Sequence, residues 1–403
     1  MRIIDHPDAW RRPQNVDSKE LEQRVQQIVD RIQVHGEQAL RILSQEIDGF
    51  MPRVIELLPW TQYPLARKEL DWIQNAGKRI ERFAKKQRAC LKDLTFSDHC
   101  GSYGHRWLPL DRMGAYIPGG RYPLVSTALM TLVPARVAGV VQRVAVSPSD
   151  DAGVLAAASW AGATHFVQVG GAQAIAALAF GTECVPRVDM IVGPGNAYVN
   201  MAKRVVQSHV KIDSLAGPSE LLVLCDQSSR AEWVAYDLLA QGEHDPLALA
   251  MCASTCRNQL EQVMSVIQRE LGPDPKGRGS FQFVFCESRD DALHFANQVA
   301  AEHLSLAWQD PESDIEILRH YGSLFIGLGS PVALGDYCSG PNHTLPTLGN
   351  ARMKAGLSVL DFLRPLTWQR IESSGYDKLA EIGMGLAKLE GLDYHYASLK
   401  KRR

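Results

Sequence analysis

The sequence predicts an α/β protein with two tandem, incomplete Rossmann-like parallel-sheet domains between helical N-terminal and C-terminal extensions. Three observations support this prediction. Short apolar runs alternate with helix-like stretches from about residue 110, the alternation occurs twice, and 403 residues exceed what one hydrophobic core usually supports. Strands that alternate with helices form parallel sheets, because each connection has to cross back over the sheet.

The N-terminal part, residues 1–105, is predicted to be a helical segment. In residues 18–47 apolar side chains recur at helical spacing among charged ones, as at Leu21, Val25 and Ile28. Residues 64–92 show a similar pattern with a basic face, which we interpret as a solvated face rather than a binding surface.

The first α/β domain is predicted over residues 106–220 and the second over residues 221–350. In the first domain we predict strands at 143–147, 164–169 and 189–192, with helices at 151–161 and 172–180. In the second we predict strands at 221–225, 247–253, 281–286, 303–308 and 323–326, with helices at 231–241, 257–271 and 290–301. The two series suggest a duplication, although the sequence shows no clear repeat and the strand order cannot be read from it.

The C-terminal part begins with a long stretch, residues 327–375, that is rich in Gly, Pro and Ser. An irregular stretch of this length inside a compact domain is usually functional. A tail domain is predicted over residues 351–403, with a helix over 377–389 and a short basic end that we interpret as a solvated terminus.

Composition excludes several classes of function. Hydrophobic residues make up 45%, charged residues 22%, and the formal charge is −2, so there is no electrostatic reason to expect nucleic acid or an anionic membrane as partner. No apolar run reaches the roughly 18 residues of a spanning helix, and residues 1–12 lack the apolar core of a secretory signal. The eight cysteines never form C-x-x-C, which indicates reduced, buried thiols. We therefore expect a cytoplasmic protein.

Four segments of the second half combine histidine with acidic or amide side chains. These segments are 241–244, 302–303, 335–344 and 390–395. Together they hold the parts of an oxygen- and nitrogen-liganded metal site and of an acid–base pair. The residues alone leave another interpretation open, because a Gln-x-x-His pair by itself is a poor predictor of a metal and a capping or surface histidine is the commoner explanation of Gln241 and His244. Glu302-His303 could likewise be a satisfied junction between helix and strand.

Glycine-rich turns occur at 119–120, 170–171 and 193–196. The last two follow a predicted strand and precede a helix, where backbone N–H groups can receive an anion or a nucleotide. Neither matches G-x-G-x-x-G, so tight turns without a ligand remain an equal alternative at this point.

The segments together resemble one family, the histidinol dehydrogenases. The resemblance runs in order from about residue 100 to 395, and the matching stretches are 107–111, 116–120, 170–182, 191–196, 216–220, 241–246, 301–304, 335–337, 340–343 and 390–392 with His395.

The resemblance implies a zinc-dependent oxidoreductase that converts L-histidinol through L-histidinaldehyde to L-histidine, with two hydride transfers to NAD. This is the last step of histidine biosynthesis. The implied metal ligands, which would also touch the substrate, are Gln241, His244, Asp336 and His395. Two imidazoles, a carboxylate and an amide oxygen suit zinc and would also accept manganese.

The resemblance also implies the roles of other residues. His303 would be the general base and would contact the substrate, and Glu302 would activate the water that attacks the aldehyde. Further substrate contacts would come from Ser219, His343 and Glu390. Contacts to NAD would come from Tyr116, Gln173 and Asn196.

Family members are homodimers with intertwined subunits, so the resemblance implies that Glu390 and His395 act in the partner's site. One departure concerns the substrate: Arg121-Tyr122-Pro123 follows Gly120, where biosynthetic members more often carry small residues. A guanidinium there could select an anionic group, as in relatives that oxidise alcohols such as sulfopropanediol. A zinc hydrolase and a non-catalytic metal-binding paralogue are the alternatives from other classes.

Overall fold

Two parallel-sheet units form the body of the protein. The structure is a computed structural model that describes residues 1–13, 19–119, 123–215, 217–272 and 278–403. Within these ranges the strands are β1 Ile3–Ile4, β2 Arg53–Ile55, β3 Leu94–Ser97, β4 Gly101–Pro109, β5 Arg112–Tyr116, β6 Gln142–Ser147, β7 His165–Gln168, β8 Met190–Val192, β9 Lys211–Ile212, β10 Glu220–Cys225, β11 Leu249–Ser254, β12 Ser280–Phe285, β13 His303–Ala307, β14 Ser323–Ile326 and β15 Leu363–Ile371.

The helices largely follow the apolar periodicity of the sequence. They are α1 Lys19–Ile47, which is interrupted by a kink at Gly36, α2 Arg67–Ala89, α3 Val125–Ala138, α4 Ala152–Ala161, α5 Gly171–Phe180, α6 Ala197–Val206, α7 Ala231–Glu243, α8 Arg257–Leu271, α9 Arg289–Val299, α10 Val332–Tyr337, α11 Ser373–Leu389 and α12 Asp393–Lys400. No helix in the described ranges combines the length and the apolar character needed to cross a bilayer.

The first six-stranded sheet has the order β2-β7-β6-β5-β8-β9. Strands β5 to β9 are parallel, and β2 joins β7 antiparallel at the edge. The chain therefore builds outward from β5 in one direction and then returns to build from β8 in the other. The carboxyl ends of β5 and β8 flank this topological switch point, where open α/β sheets usually bind their ligands.

The second six-stranded sheet has the order β1-β12-β11-β10-β13-β14 and is parallel throughout. Its central strands repeat the order of the first sheet, with β10 in the place of β5 and β13 in the place of β8. This confirms the predicted fold class of two tandem Rossmann-like sheets. The shared order also supports a duplication that the sequence itself does not display.

The N-terminal helices cover the first sheet on opposite faces. Apolar residues of α2, such as Ile73 and Ile80, pack with Leu129 of α3 on one face. On the other face Val25 and Ile28 of α1 pack with α5 and α6. Because α3, α4 and α5 lie between the sheet and a second helix, they are apolar nearly all round, whereas α1 and α2 keep one solvated face.

A third sheet was not predicted. Strands β3, β4 and β15 form a three-stranded antiparallel sheet. Residues 94–105 lie in the segment predicted as helical, residues 106–109 lie in the predicted first α/β domain, and residues 363–371 lie in the stretch predicted as irregular. In β15 every residue after Leu363 is exposed, so the strand has no buried face to impose an apolar alternation on its sequence. Helix α12 lies between the predicted helix over 377–389 and the basic end, and it was missed for the same reason, since none of its residues is buried.

The connection between the two units runs from the carboxyl edge of the first sheet to the amino edge of the second. Strand β9 ends at Ile212 on the carboxyl edge of the first sheet, and β10 begins at Glu220 on the amino edge of the second. The loop after α10 spans the same boundary, because the Asn342 side-chain amide donates to the carbonyl of Met130 in α3 over 2.6 Å. The connection over residues 213–219 and this hydrogen bond therefore attach the amino edge of the second sheet to the first unit.

Candidate functional site

A hydrogen-bonded polar cluster lies at the amino edge of the second sheet. Strands β10 and β13 are neighbours there, with Leu221 opposite His303. The Glu302 carboxylate accepts hydrogen bonds from the Ser219 hydroxyl over 2.7 Å and from the Glu220 N–H over 2.8 Å. Glu302 and His303 are buried, so a carboxylate and an imidazole are held side by side where water has little access.

Two carboxylates flank the His303 ring. Its Nδ1 lies 3.6 Å from Glu302 Oε2 and 3.3 Å from the Glu220 carbonyl oxygen, and its Nε2 lies 3.5 Å from Asp336 Oδ1. Burial alone lowers the pKa of His303, but the charge of Glu302 and the hydrogen bonds to Asp336 and Glu302 outweigh it and raise that pKa to about 10. The bond to His303 correspondingly keeps the pKa of Asp336 low, although burial of Asp336 acts in the opposite direction.

His343 lies on the other side of Asp336. Its Nδ1 is 2.7 Å from the Asp336 carbonyl oxygen. Burial lowers the pKa of His343, which favours the neutral form of this ring. The site therefore contains one imidazole that favours a proton and one that does not.

Gln241 and His244 approach the same cluster from the end of α7. Gln241 is buried, and its amide donates to the Ser219 hydroxyl over 2.7 Å. His244 follows α7 as its C-cap and is close enough to Asp336 for its charge to lower the pKa of that carboxyl. The structure thus brings three of the four sequence-predicted metal ligands to one place, offering an amide oxygen, an imidazole and a carboxylate.

The fourth predicted ligand, His395, lies elsewhere in this chain. His395 is an exposed residue of α12, and Glu390 is exposed at the end of α11. Across the ranges that the structure describes, no hydrogen bond or ion pair joins either residue to the cluster around His303. The structure contains one chain, so the predicted action of Glu390 and His395 in the site of a partner subunit stays a prediction.

A different set of possible metal ligands lies in the turn between β3 and β4. Counting only His, Cys, Asp and Glu, the described residues contain one group of three whose ligand atoms lie within 4.8 Å of one another, namely Asp98, His99 and Cys100. Asp98 already accepts the N–H groups of Cys100 and Gly101, and the Lys378 ammonium lies 3.2 Å from His99 Nε2. A neighbouring ammonium repels a cation, so this turn is a weak candidate.

The three residues predicted to contact NAD lie at the carboxyl edge of the first sheet. The Tyr116 hydroxyl accepts the Gly171 N–H over 3.2 Å, and burial raises the pKa of Tyr116 to about 12. Gln173 is fully buried and donates to Asp48 over 3.0 Å, while its Oε1 has no hydrogen-bond partner. Asn196 caps α6 by accepting the Val199 N–H. Arg121 and Tyr122 lie outside the described residues.

The backbone at this edge suits the close approach of a dinucleotide. Gly193 has φ +112°, and a Cβ at this position would lie 2.1 Å from the Tyr116 carbonyl oxygen. A Cβ at Gly119 would lie 2.5 Å from Ser149 Cβ. Helices α5 and α6 both begin at glycine-containing turns here, so their first N–H groups can receive a diphosphate. The free oxygen of Gln173 and these turns fit the predicted NAD site.

Sequence reasoning missed an ion pair directly behind the cluster. The Arg12 guanidinium donates to the Glu220 carboxylate, which is 2% exposed, and it also donates to the carbonyl of Val299. The backbone of Glu220 contacts both Glu302 and His303, so the pair supports the strand end that carries the site. The sequence around Arg12 carries no signal that would connect it with Glu220, 208 positions away.

Glu220 makes the stability of the protein depend on pH. Burial raises the pKa of Glu220 from 4.5 to about 7, against the opposing charge of Arg12. Between these two values the folded state holds a proton that the unfolded state has released, so the free energy of unfolding falls as pH rises through this window, by up to about 3 kcal/mol. We expect Glu220→Gln to show a smaller fall between pH 4.5 and pH 7 in urea unfolding. The exposed control Glu243→Gln should keep the full slope, and equal slopes in all three proteins would contradict the assignment.

Comparisons with known proteins agree on one family. The family model described as histidinol dehydrogenase matches residues 11–403. A histidinol dehydrogenase of Prochlorococcus marinus (strain MIT 9313) is 43% identical over 397 residues, which cover 94% of this chain and 89% of that protein. A histidinol dehydrogenase of Thermus thermophilus is 41% identical over 392 residues, which cover 95% of each chain. The crystal structure of histidinol dehydrogenase from Elizabethkingia anophelis superposes with a TM-score of 0.86 at 30% identity, covering 97% of this chain and 94% of that one.

Proposed function

The chain belongs to the histidinol dehydrogenase family, and we propose on this premise that it oxidises L-histidinol to L-histidine with NAD, through L-histidinaldehyde. The observation that carries the proposal is the Ser219–Glu302–His303–Asp336 cluster at the amino edge of the second sheet, together with the glycine turns at the carboxyl edge of the first. Such a reaction requires an acid–base pair and a binding site for a dinucleotide, and the two sheet edges provide one each.

The carboxyl edge of the first sheet is the proposed NAD site. When bound, NAD accepts the hydride in each of the two oxidation steps. The turn at 193–196 would receive the diphosphate, and the free Gln173 oxygen and Asn196 would contact the rest of the cofactor. The Tyr116 hydroxyl, which accepts the Gly171 N–H, would hold the turn before α5 in a conformation that leaves room for NAD.

Gln241, His244 and Asp336 are the proposed zinc ligands of one subunit, with His395 of a second copy as the fourth. Zinc, when bound, would act as a Lewis acid that orients the amine and imidazole of the substrate. Asp336 is also the carboxylate that helps to hold a proton on His303. With Asp336 engaged as a ligand, the pKa of His303 would be lower and the ring could serve as a base.

The protons of the reaction are assigned to His303 and Glu302. In the first step His303 takes the hydroxyl proton of the alcohol while the carbon loses hydride, which yields the aldehyde. Glu302 then takes a proton from the water that attacks the aldehyde, while His303 returns its proton to the aldehyde oxygen, which forms the diol and leaves His303 neutral again. Ser219 helps to hold the Glu302 carboxylate in place. In the last step His303 takes a proton from the resulting diol as the second hydride leaves, which yields the carboxylic acid.

The test is to count the NADH formed per L-histidinol consumed by the zinc-loaded protein. Two NADH with L-histidine as product are expected. A folded, zinc-replete protein that forms no NADH would refute the proposed substrate. Anionic hydroxyl compounds such as sulfopropanediol should be assayed alongside, because Arg121 would favour them if it lines the pocket. A protein that does not bind NADH at all would instead revive the zinc hydrolase alternative.

The C-terminal tail is the proposed contribution of a second subunit. Helices α11 and α12 expose large apolar side chains, with Leu389 85% and Tyr394 91% exposed. Exposed apolar surface of this kind is typical of an interface. A homodimer in which each tail covers the partner's site would bury it and would bring His395 to the other three ligands.

Removal of the tail tests this arrangement through the metal. We expect truncation before Glu390, and His395→Ala, to weaken zinc binding by at least ~10-fold, because each removes a ligand. The matched control is His99→Ala, which disrupts the Asp98–His99–Cys100 turn and should leave zinc content unchanged. Zinc content would be measured by elemental analysis. If His99→Ala lost its zinc and His395→Ala kept it, the assignment of the metal site would be reversed.

Mixed dimers would show whether the tail acts between subunits. In the proposed shared site His303 comes from one chain and His395 from the other, so His303→Ala and His395→Ala each remove the contribution of a different chain. A dimer with one copy of each variant would therefore contain one intact site, and its activity should return after the two inactive proteins are mixed. Mixtures that stay inactive after verified subunit exchange would count against the exchange of tails.

A further inference from the structure

A fully buried ion pair lies beneath the first sheet's switch point. Lys203 of α6 is 0% exposed and Asp213, just after β9, is 3% exposed. The Lys203 ammonium lies 2.5 Å from Asp213 Oδ1. Buried ion pairs of this kind are often no more stabilising than apolar residues of the same volume, because desolvation opposes their attraction. Stability alone therefore does not explain why the chain buries this ion pair.

The pair holds both polar groups of Gly193. The Lys203 ammonium donates to the Gly193 carbonyl oxygen over 2.6 Å, and the Gly193 N–H donates to Asp213 Oδ2 over 2.7 Å. The other Asp213 oxygen also accepts the Ser214 N–H. With φ +112° and no room for a Cβ against Tyr116, position 193 requires glycine, and because glycine is conformationally free, these two hydrogen bonds fix the orientation of its peptide groups.

These contacts determine which groups of the turn face outward. The Asn200 side chain donates to the Gly195 carbonyl over 2.7 Å, so the carbonyls of Gly193 and Gly195 are both turned toward the protein. In the described part of the chain, the N–H groups of Asn196 and Ala197 have no protein acceptor. The turn thus presents donors to a ligand and withdraws the acceptors that would repel an anion.

Asp213 also begins the connection that leads to the other half of the site. Its N–H donates to the Ile191 carbonyl in β8, and residues 213–219 then run from it to Ser219. The backbone of Asp213 thus holds the end of β8, while its side chain and Lys203 hold the turn at 193–196. Ser219 lies further along the chain, outside these contacts.

We propose that Lys203 and Asp213 are positioning residues for NAD, which act through the turn at 193–196 and do not touch the cofactor. The inference rests on the proposed function, because it needs that turn to bind the diphosphate. In this role the buried ion pair keeps the backbone N–H groups of the turn oriented toward the diphosphate of NAD.

The test compares NADH affinity in full-length, zinc-loaded proteins by fluorescence titration. For Lys203→Met we expect NADH to bind at least ~10-fold more weakly, because the Gly193 carbonyl is released and Asp213 keeps an unbalanced charge. The affinity for L-histidinol, measured by calorimetry, should stay within about twofold, as should kcat at saturating NAD, since the turn contributes to cofactor binding alone. Asp213→Asn keeps the size of the side chain and provides a second, milder variant if Lys203→Met does not fold.

The matched control is Val206→Ala, a buried position one turn further along α6. It removes packing without touching Gly193, so its melting temperature should fall while its NADH affinity stays unchanged. NADH affinity within about twofold of the unmodified protein in folded Lys203→Met and Asp213→Asn would overturn the inference. So would an equal loss of NADH and L-histidinol affinity, which would indicate a general loss of structure. If the unmodified protein does not bind NADH, the proposed function fails together with the inference.

Discussion

Replacement of His303 with alanine is expected to lower kcat for L-histidinol oxidation by about 10²–10⁴-fold, the usual contribution of a positioned general base. The ring lies between Glu302 and Asp336 at the start of β13, where no other described side chain offers a base in the same position. Zinc content and NADH affinity should remain close to those of the unmodified protein, since His303 is not among the proposed ligands of either.

The control for this substitution is His294→Ala, an exposed position in α9 whose imidazole bonds only to the Asp290 carbonyl. It should leave kcat unchanged. Added imidazole should restore part of the activity of His303→Ala, because a small base can enter the space that the side chain left. Turnover in His303→Ala within a few-fold of the unmodified enzyme, measured at several pH values, would remove His303 from the mechanism.

Replacement of Glu302 with glutamine is expected to separate the two oxidation steps. The amide keeps the size of the side chain and can still accept the hydrogen bond from Ser219, but it cannot take a proton from water. Oxidation of L-histidinaldehyde should fall by about 10²–10⁴-fold, whereas oxidation of the alcohol should fall much less. In a single-turnover experiment the variant should therefore release about one NADH per site where the unmodified enzyme releases two.

The loss of charge beside His303 needs its own control. Glu302 raises the pKa of His303, so Glu302→Gln also weakens the hold on that proton. This second effect would alter both steps and shift their pH dependence, whereas loss of water activation affects the aldehyde step alone. A variant that slows both steps equally would show that Glu302 only orients the histidine. Two NADH per site at the unmodified rate would exclude any role in either step.

The chemistry of the site was largely accessible from the sequence. Histidine beside acid in separated segments predicted a polar cluster, and the structure brings Gln241, His244, Glu302, His303 and Asp336 together. Four of these residues stand at the end of a strand or helix that apolar periodicity marks clearly; Asp336 does not, because α10 lies in the stretch predicted as irregular. The positions beside these ends therefore follow once the elements pack, because neighbouring strands of a parallel sheet bring their ends to one edge.

The residues that support the site were not accessible in this way. Arg12 with Glu220 and Lys203 with Asp213 are pairs of ordinary charged residues whose sequence neighbours carry no pattern. Their role follows from burial, which is decided when the N-terminal segment, α6 and the central strands pack. A charge that looks solvated in the sequence becomes a buried ion pair only in the folded chain.

Hydrophobic periodicity and side-chain chemistry are local properties, so they were enough to predict the α/β class, the two series of strands and helices, and the types of residue available for the chemistry. The strand orders, the extra sheet of β3, β4 and β15, and the contacts between the two units were fixed only when the chain folded. These features depend on which elements pack against each other across long separations in the chain, and on side chains such as those of β15 that stay exposed and so leave no periodic signal.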